Sequence, residues 1–472
     1  MNKNTAIILA AGKSSRMGGQ EQKSFYEIGG EKLIIHLLNS IIKCDFQNIF
    51  IVVNQDYENL QLEYIKNFLS KKDKNCFFVC QNEQLGTGHA VLECINSKEY
   101  KNIFHENIII FYADTPLITS ESIEKLQDQI RNEKVGIICG FNYIEKNSYG
   151  RIILNSENKI KKIVEYKDYK NNEEVQNISL CNSGIIAIRN NILEKYLNLI
   201  ENKNEAKEYY LFDIMNFLNA NQKFSFFKIG KDEAIGINTF EELSEAEQIY
   251  QNRQRNFWIN NFVQFQNPES VFFGFNVKID KFVKIGSNVE IKNNSEIGEN
   301  VEIQSNNVIG KNAKIARNTL IKSFSYIEDS IIGENCEIGP FASITNQNII
   351  GDQNMIGNFV EIKRSKIKNN NKIKHLSYCG NLEMNSNNNV GAGSITCNYD
   401  GKNKNTTKIG DNNFIGANSS LIAPLNIGDD NIIAAGSVIT KSLDDQNLAI
   451  ERNEQKNIKR KSRKILYDSQ TN

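Results

Sequence analysis

Residues 279–327 read IDKFVKIGSNVEIKNNSEIGENVEIQSNNVIGKNAKIARNTLIKSFSYI, with an isoleucine at every sixth position: 279, 285, 291, 297, 303, 309, 315, 321 and 327. After a five-residue step the series resumes at Ile332 and runs through Ile338, Ile344, Ile350, Ile356 and Ile362, then Ile367 and Ile373. Beyond an interruption it returns at Ile409, Ile415, Leu421, Ile427, Ile433 and Ile439. A period of six fits neither an α-helix nor an alternating strand. It is the pattern of a parallel β-helix in which each hexapeptide is one short strand and turn, and three make a triangular coil. The aliphatic residue fills the narrow axis. Glycine often follows it directly, as at Gly286, Gly298, Gly310 and Gly333. Gly, Asn and Asp are expected in the turns that need unusual φ/ψ. The series predicts about nine stacked coils, a solenoid over residues 263–446.

Residues 1–238 follow a different rule. Short apolar runs at Thr5–Ala10, Asn48–Val53, Cys76–Cys80 and Asn107–Tyr112 read as buried strands. Amphipathic stretches at Lys32–Cys44, Tyr57–Leu69, Thr87–Ile95 and Ser120–Ile130 lie between and after them. This alternation predicts an α/β domain with a mostly parallel sheet covered on both faces. Further strands are expected at Arg151–Leu154, Lys159–Tyr166 and Leu180–Ile188. Residues 239–262 carry spaced apolar residues without Pro or Gly and read as a long connecting helix; residues 447–472 read as a tail, basic at Lys456–Lys464.

The whole chain has 472 residues, 40% of them apolar and 24% charged, which suits two or three soluble domains. Lys+Arg and Asp+Glu both number 56, a balance that argues against nucleic acid or an anionic membrane as the main partner. No apolar run reaches the length of a membrane span. Nine cysteines stand as singles with no CxxC pair, and no secretory signal is visible, which predicts reduced thiols and a cytoplasmic protein.

Two features carry chemistry. Leu9-Ala10-Ala11-Gly12-Lys13-Ser14-Ser15-Arg16-Met17 directly follows the first strand. Small residues there let backbone N–H groups approach a phosphate chain, and Lys13, Arg16 and Lys23 add positive charge. An ordinary Gly/Ser turn with solvated basic residues is the bland alternative; the position at the carboxyl end of a parallel sheet favours the phosphate loop. The second feature is His375, the one histidine of the β-helix, where His36, His89 and His105 all precede it. It falls where the strict hexad series breaks, so its side chain need not fill the axis, and an imidazole is a natural base for deprotonating an amine before acyl transfer.

The loop, Gln84-Leu85-Gly86-Thr87-Gly88-His89-Ala90 and Tyr112-Ala113-Asp114-Thr115-Pro116-Leu117 together resemble a sugar-nucleotide pyrophosphorylase. With the β-helix, Phe359-Val360-Glu361 and Asn398-Tyr399-Asp400-Gly401, about residues 5 to 455 resemble the bifunctional N-acetylglucosamine-1-phosphate uridylyltransferase/glucosamine-1-phosphate acetyltransferase family. The resemblance implies a Rossmann-like mixed sheet followed by a left-handed β-helix, and a homotrimer whose acetyl-transfer sites lie between neighbouring prisms. It implies that Leu9, Ala10, Ala11, Gly12 and Lys23 line the nucleotide, that Gln81, Gly86 and Thr87 hold uracil, and that Tyr112, Ala113 and Asp114 sit by the phosphates. Gly150, Glu165 and Asn182 would bind the sugar, and Asp114 with Asn238 would hold Mg2+. In the β-helix it implies His375 as catalytic base, with Glu361 orienting it, Lys363 and Tyr378 on the sugar phosphate and Asn389 on the sugar. Ala392, Asn398, Tyr399, Ala417, Ala435 and Arg452 would line acetyl-CoA. UTP and acetyl-CoA are the implied co-substrates, in a route to precursors of peptidoglycan and lipopolysaccharide.

The chain departs from the family pattern at several positions. Ser14 replaces a loop glycine, Gln22 a proline, Ala113 a glycine beside Asp114, and Ala417 a serine near CoA. Thr345 stands where an arginine grips the sugar phosphate, with Arg364 a nearby substitute. Asn398–Lys408 interrupts the hexads and reads as an extruded loop. The alternatives are a nucleotidyltransferase whose β-helix is only a trimerising or regulatory scaffold, and a non-catalytic assembly subunit.

Overall fold

The computed structural model describes residues 4–458 apart from 13–16, 20, 58, 71–73, 145–146, 157–158, 170–171, 205–206 and 219–222. Lys13, Ser14 and Arg16 of the loop, and the tail beyond Ile458, therefore lie outside the described residues. The chain divides into two compact units, one up to Gln254 and one from Arg255 onward.

In the first unit, seven strands form a continuous path in the order Ser225–Lys228, Gly136–Asn142, Leu180–Arg189, Asn107–Tyr112, Asn4–Leu9, Asn48–Asn54, Asn75–Gln81. Leu180–Arg189 alone runs against its neighbours. The other pairings along the path are parallel. Arg151–Leu154 and Ile160–Val164 form an antiparallel ribbon attached to Leu180–Arg189 through Cys181 and Arg151. The expected strands are present, and the sheet has two more, Gly136–Asn142 and Ser225–Lys228. After the first strand the chain moves out on one side to Asn48–Asn54, and later returns to the other side as Asn107–Tyr112. The carboxyl ends of Asn4–Leu9 and Asn107–Tyr112 thus flank the crevice that such a reversal of strand order opens for a ligand.

The helix Phe240–Asn260 begins with a capping box. The Glu242 N–H donates to Thr239 Oγ1 at 3.2 Å, and Glu242 Oε2 accepts from the N–H groups of Thr239 (3.0 Å) and Asn238 (2.6 Å). The division between the two units falls inside this helix.

The second unit is three parallel sheets of eleven, ten and nine short strands, the faces of a triangular prism. The solenoid begins at Gln264–Phe265 and runs to Leu448–Ala449, so it has more coils than the isoleucines alone predict. Phe265 and Phe273 take the inward position in the first coil. Cys379, Met384 and Val390 keep the axis filled through the stretch where isoleucine is missing. The hexad register is therefore unbroken around His375, whose exposure comes from its place at the end of the strand Lys372–His375, two residues after the buried Ile373.

The turns divide the labour differently from the sequence reading. Asn276, Asn294 and Asn312 sit at φ 56, 60 and 57°, in the left-handed region that Asn tolerates, and Asn276 Nδ2 donates to Asn294 Oδ1 at 2.9 Å. Gly286, in contrast, is required by a close approach: a Cβ there would lie 2.5 Å from the Ser305 backbone nitrogen one coil on. One corner carries aromatic residues at positive φ: Phe324, Phe341 and Phe359 stack with ring centroids 4.9 and 5.1 Å apart.

Inside the prism runs an asparagine ladder. Asn354, Asn371, Asn388, Asn413 and Asn431 are buried, and each accepts through Oδ1 from the backbone N–H of its counterpart one coil later, at 2.8–2.9 Å, ending at Asn447. The buried amides thus satisfy backbone donors that the turns leave unpaired.

Candidate active sites

At the switch point of the first unit lies a cavity of about 550 Å³. Leu9, Ala10, Ala11, Gly12, Lys23, Gln81, Gly86, Thr87, Tyr112, Ala113, Asp114 and Asn238 all contribute to its wall. The strand ends are held in register there: the Ala10 N–H donates to Val52 O (2.8 Å) and the Ala113 N–H to Leu9 O (3.0 Å). Gln22 keeps φ at −60°, a value proline would also impose, so the turn into Lys23 survives that substitution.

Gly86 caps the helix Thr87–Asn96 at φ 110°. A Cβ there would stand 2.7 and 2.8 Å from the backbone oxygen and nitrogen of Tyr209. Both atoms are pinned, since Tyr209 N–H donates to Leu85 O and Tyr209 O accepts from the Gly88 N–H. Gly86→Ala should therefore destabilise this unit by about 1–3 kcal/mol, and lower the activity of this cavity while sparing that of the second unit. Denaturant melts with separate assays of the two activities check this; wild-type stability would contradict it.

Gln81 is buried and its Nε2 bonds to Gly86 O (3.2 Å) and His89 Nδ1 (3.1 Å). Burial pushes the Tyr112 phenol above its ordinary pKa, so it stays protonated, and it shares a hydrogen bond with Thr87. A Cβ on Gly184, two residues beyond Asn182, would stand 3.0 Å from the Tyr112 ring, so that glycine leaves the ring its room. Asn182 donates its N–H to Gly150 O (2.8 Å), and Glu165 lies against Gly150, so the expected sugar-binding trio is contiguous.

The sequence reading did not assign Ser24, Gln84, Ala90 or Glu208, which also line the cavity. Gln84 donates through Nε2 to Ala11 O (2.8 Å), fixing the loop, and its buried Oε1 has no hydrogen-bond partner among the described residues. Its place in the quoted Gln84–Ala90 motif was the one available signal.

On the cavity floor Asp114 and Asn238, far apart in sequence, are clamped together by the Ile237 N–H donating to Asp114 O (2.8 Å). Their side-chain oxygens converge on a single cation, the Lys23 ammonium. It is ion-paired with Asp114 Oδ2 and donates to Asn238 Oδ1 at 2.8 Å. Two oxygen donors aimed at one cation fit Mg2+, with its other sites left to phosphate and water. Among the described residues no group of three or more His, Cys, Asp or Glu side chains could hold a metal by itself.

In the second unit, strand register assembles the other set. Asn358 pairs with His375. The same position in the following coils, two residues after the axis residues Val390, Ile415 and Ile433, is taken by Ala392, Ala417 and Ala435. His375 is exposed and heads a column of small residues. At a strand spacing of about 4.8 Å, three coils carry this column roughly 14 Å. At its far end Arg452 donates to Ala435 O at 2.9 Å.

On the next face Thr345, Lys363 and Gly380 are in register. A Cβ on Gly380 would meet the Tyr378 hydroxyl at 2.5 Å and Asn398 Nδ2 at 2.8 Å, so that glycine lets Tyr378 and Asn398 converge. Asn398 Nδ2 donates to Asn381 Oδ1 (2.8 Å), which also accepts from Arg364 Nε (3.4 Å), tying Arg364 to the same patch. Asn389 is in register with Lys372, further from His375 along that strand. Glu361 is ion-paired with Lys363, and no hydrogen bond reaches the His375 ring among the described residues. Glu361 therefore braces Lys363 in this structure, where the resemblance had it orienting His375. The extruded loop is stabilised from within: Asp400 accepts from the N–H groups of Lys402 (2.8 Å) and Asn403 (2.7 Å), leaving Tyr399 exposed.

A phosphate-loop pocket at the switch point of a mixed sheet, followed in one chain by a hexapeptide prism, defines a nucleotidyltransferase joined to a hexapeptide-repeat acyltransferase. Residues 6–147 match the MobA-like NTP transferase domain, residues 273–383 the GMPPB C-terminal domain, and residues 406–441 the bacterial transferase hexapeptide repeats. The chain is 37% identical over 456 residues to the bifunctional protein GlmU of Zymomonas mobilis, covering 96% of this chain and 95% of that protein. It is 36% identical to the GlmU protein of Wolbachia pipientis, covering 96% and 97%. A solved UDP-glucose pyrophosphorylase with UDP-glucose overlays 54% of this chain and 100% of its own, at 20% identity and a TM-score of 0.43. The chain belongs to the GlmU family of bifunctional proteins.

Proposed function

We propose that the prism acetylates glucosamine 1-phosphate with acetyl-CoA, and that the first unit then joins the product to UTP, releasing pyrophosphate and UDP-N-acetylglucosamine. The observation that carries the first half is the column that starts at His375 and continues through Ala392, Ala417 and Ala435 to Arg452. Small side chains leave room for an extended pantetheine arm. His375 Nε2 or Nδ1 takes a proton from the sugar amine, whose lone pair attacks the thioester carbonyl; collapse of the tetrahedral species expels CoA thiolate. Backbone N–H groups of the adjacent turn stabilise its oxyanion. Lys363, Tyr378 and Arg364 hold the sugar phosphate, and Asn389 the sugar. Asn398 and Tyr399 border the acetyl-CoA.

In the first unit, Gln81, Gly86 and Thr87 place uracil, Ala10–Gly12 and Lys23 hold the triphosphate, and Gly150, Glu165 and Asn182 hold the sugar. No nucleophilic side chain is needed, because the sugar phosphate oxygen itself attacks the α-phosphorus and alignment of the two anions is the main task. Asp114 and Asn238 would hold Mg2+, which supplies charge neutralisation between them when bound. A coupled assay with acetyl-CoA, glucosamine 1-phosphate and UTP, each omitted in turn, tests the sequence of steps. Nucleotide-sugar formed only from supplied N-acetylglucosamine 1-phosphate would favour the scaffold reading of the prism.

The working protein is a trimer in this reading, and the exposed stacked corner at Phe324, Phe341 and Phe359 is apolar surface consistent with partner copies. Light scattering should return the mass of three 53.8 kDa chains. A monomer with full acetyl transfer would exclude a site shared between copies. No helix among the described residues is long and apolar enough to cross a membrane. All nine cysteines are free, in keeping with a cytoplasmic setting.

A further inference from the structure

Lys23 takes the place in which the cavity's two oxygen ligands converge. Its ammonium is ion-paired with Asp114 Oδ2 and donates to Asn238 Oδ1 at 2.8 Å, with the Lys23 side chain only 14% exposed. A magnesium ion needs ligand oxygens at about 2.0–2.1 Å, and so requires the same lone pairs on the same two atoms. An ammonium and a divalent cation a few ångströms apart repel strongly where water is scarce. The two cannot share the pair.

We propose that Lys23 is a counter-ion latch: it neutralises Asp114 and preorganises the Asp114–Asn238 pair before metal arrives, and metal enters only by displacing it. The proposal rests on the reading that Asp114 and Asn238 are the metal pair. The two anchors of the latch are independently fixed. Asp114 is clamped through its carbonyl to the Ile237 N–H, and Asn238 through its N–H to Glu242 in the capping box. The mobile partner is the lysine, whose flexible stem enters from the short helix Lys23–Phe25. Once released, its charge is free for the phosphate oxygens along Ala10–Gly12, which line the same cavity. Binding of metal and arrival of a positive charge at the triphosphate become one event. Without metal, the lysine is withheld from the nucleotide.

The test uses Mn2+ as probe on the full-length protein without nucleotide, its binding followed by electron paramagnetic resonance. Lys23→Met keeps the aliphatic stem and removes the competing charge, and should bind Mn2+ about tenfold or more tightly than wild type, the equivalent of about 1.4 kcal/mol. Unchanged or weaker binding would overturn the latch. Asp114→Asn in parallel should lose most Mn2+ binding; if it binds as wild type does, the metal-pair reading itself fails, and the latch with it. A second measurement needs no variant. Amine acetylation of Lys23 in wild type, read by peptide mass spectrometry, should quicken several-fold on adding Mn2+, and protection or no change would count against displacement.

Discussion

His375→Ala is expected to lower acetyl transfer by about 10²–10⁴-fold, the usual contribution of a general base, while uridylyl transfer from supplied N-acetylglucosamine 1-phosphate stays normal. The sugar amine must lose a proton before it attacks the thioester. His36, His89 and His105 all lie in the first unit, which leaves His375 as the histidine of the prism. The side chain is exposed and its ring has no hydrogen-bond partner among the described residues, so its removal leaves no buried group unsatisfied. The loss should therefore appear in kcat with little change in melting temperature. Wild-type acetyl transfer by the variant would make the prism a scaffold and leave only the nucleotidyltransferase.

Asp114→Ala should have the complementary effect. Uridylyl transfer should fall by at least about 10²–10³-fold, the scale seen when one preorganised electrostatic contact to a transition state is deleted, with acetyl transfer intact. The substitution removes one of the two oxygen donors that would hold the metal, along with the Lys23 ion pair, so added metal should restore little. Loss of both activities in a protein that still folds would show that the two reactions do not occur at separate sites.

The prism was legible because an aliphatic residue every sixth position has one structural solution, and each axis isoleucine is in fact buried, Ile309, Ile321 and Ile344 completely. The sheet was less legible where glycine interrupts a strand. Gly136 and Gly140 break the apolar run in Gly136–Asn142, yet a Cβ at either would collide, at Gly136 with the Phe224 ring (2.6 Å) and at Gly140 with Phe226 (2.7 Å). They are there for neighbours that the local sequence does not reveal. The same limit applies to the sites. Nothing in their spacing joins Asp114 to Asn238; the resemblance named them, and the Ile237–Asp114 hydrogen bond supplies the physical reason. The pairing of Glu361 with Lys363 depends on side-chain geometry that no motif encodes. The column from His375 to Ala435 is the opposite case: counting two residues past each axis position reads it off the sequence once the register is known.

The asparagine ladder from Asn354 to Asn447 has a consequence for how such a chain can change its length. Each rung presents an acceptor to the coil after it and receives the same acceptor from the coil before, so a coil is an interchangeable unit with matching ends. Duplication or loss of a whole coil, some 16 to 18 residues as between Asn354 and Asn371, Asn413 and Asn431, and Asn431 and Asn447, restores every rung. A change of one or two residues is absorbed only in a turn, as in the five-residue step from Ile327 to Ile332, since within a strand it would turn a buried amide outward and an axis isoleucine with it. The prism therefore grows or shrinks chiefly by whole coils, while the loop between Asn398 and the strand Thr407–Ile409, which leaves the ladder between Asn388 and Asn413, shows that extra residues can be carried at a turn with the rung intact.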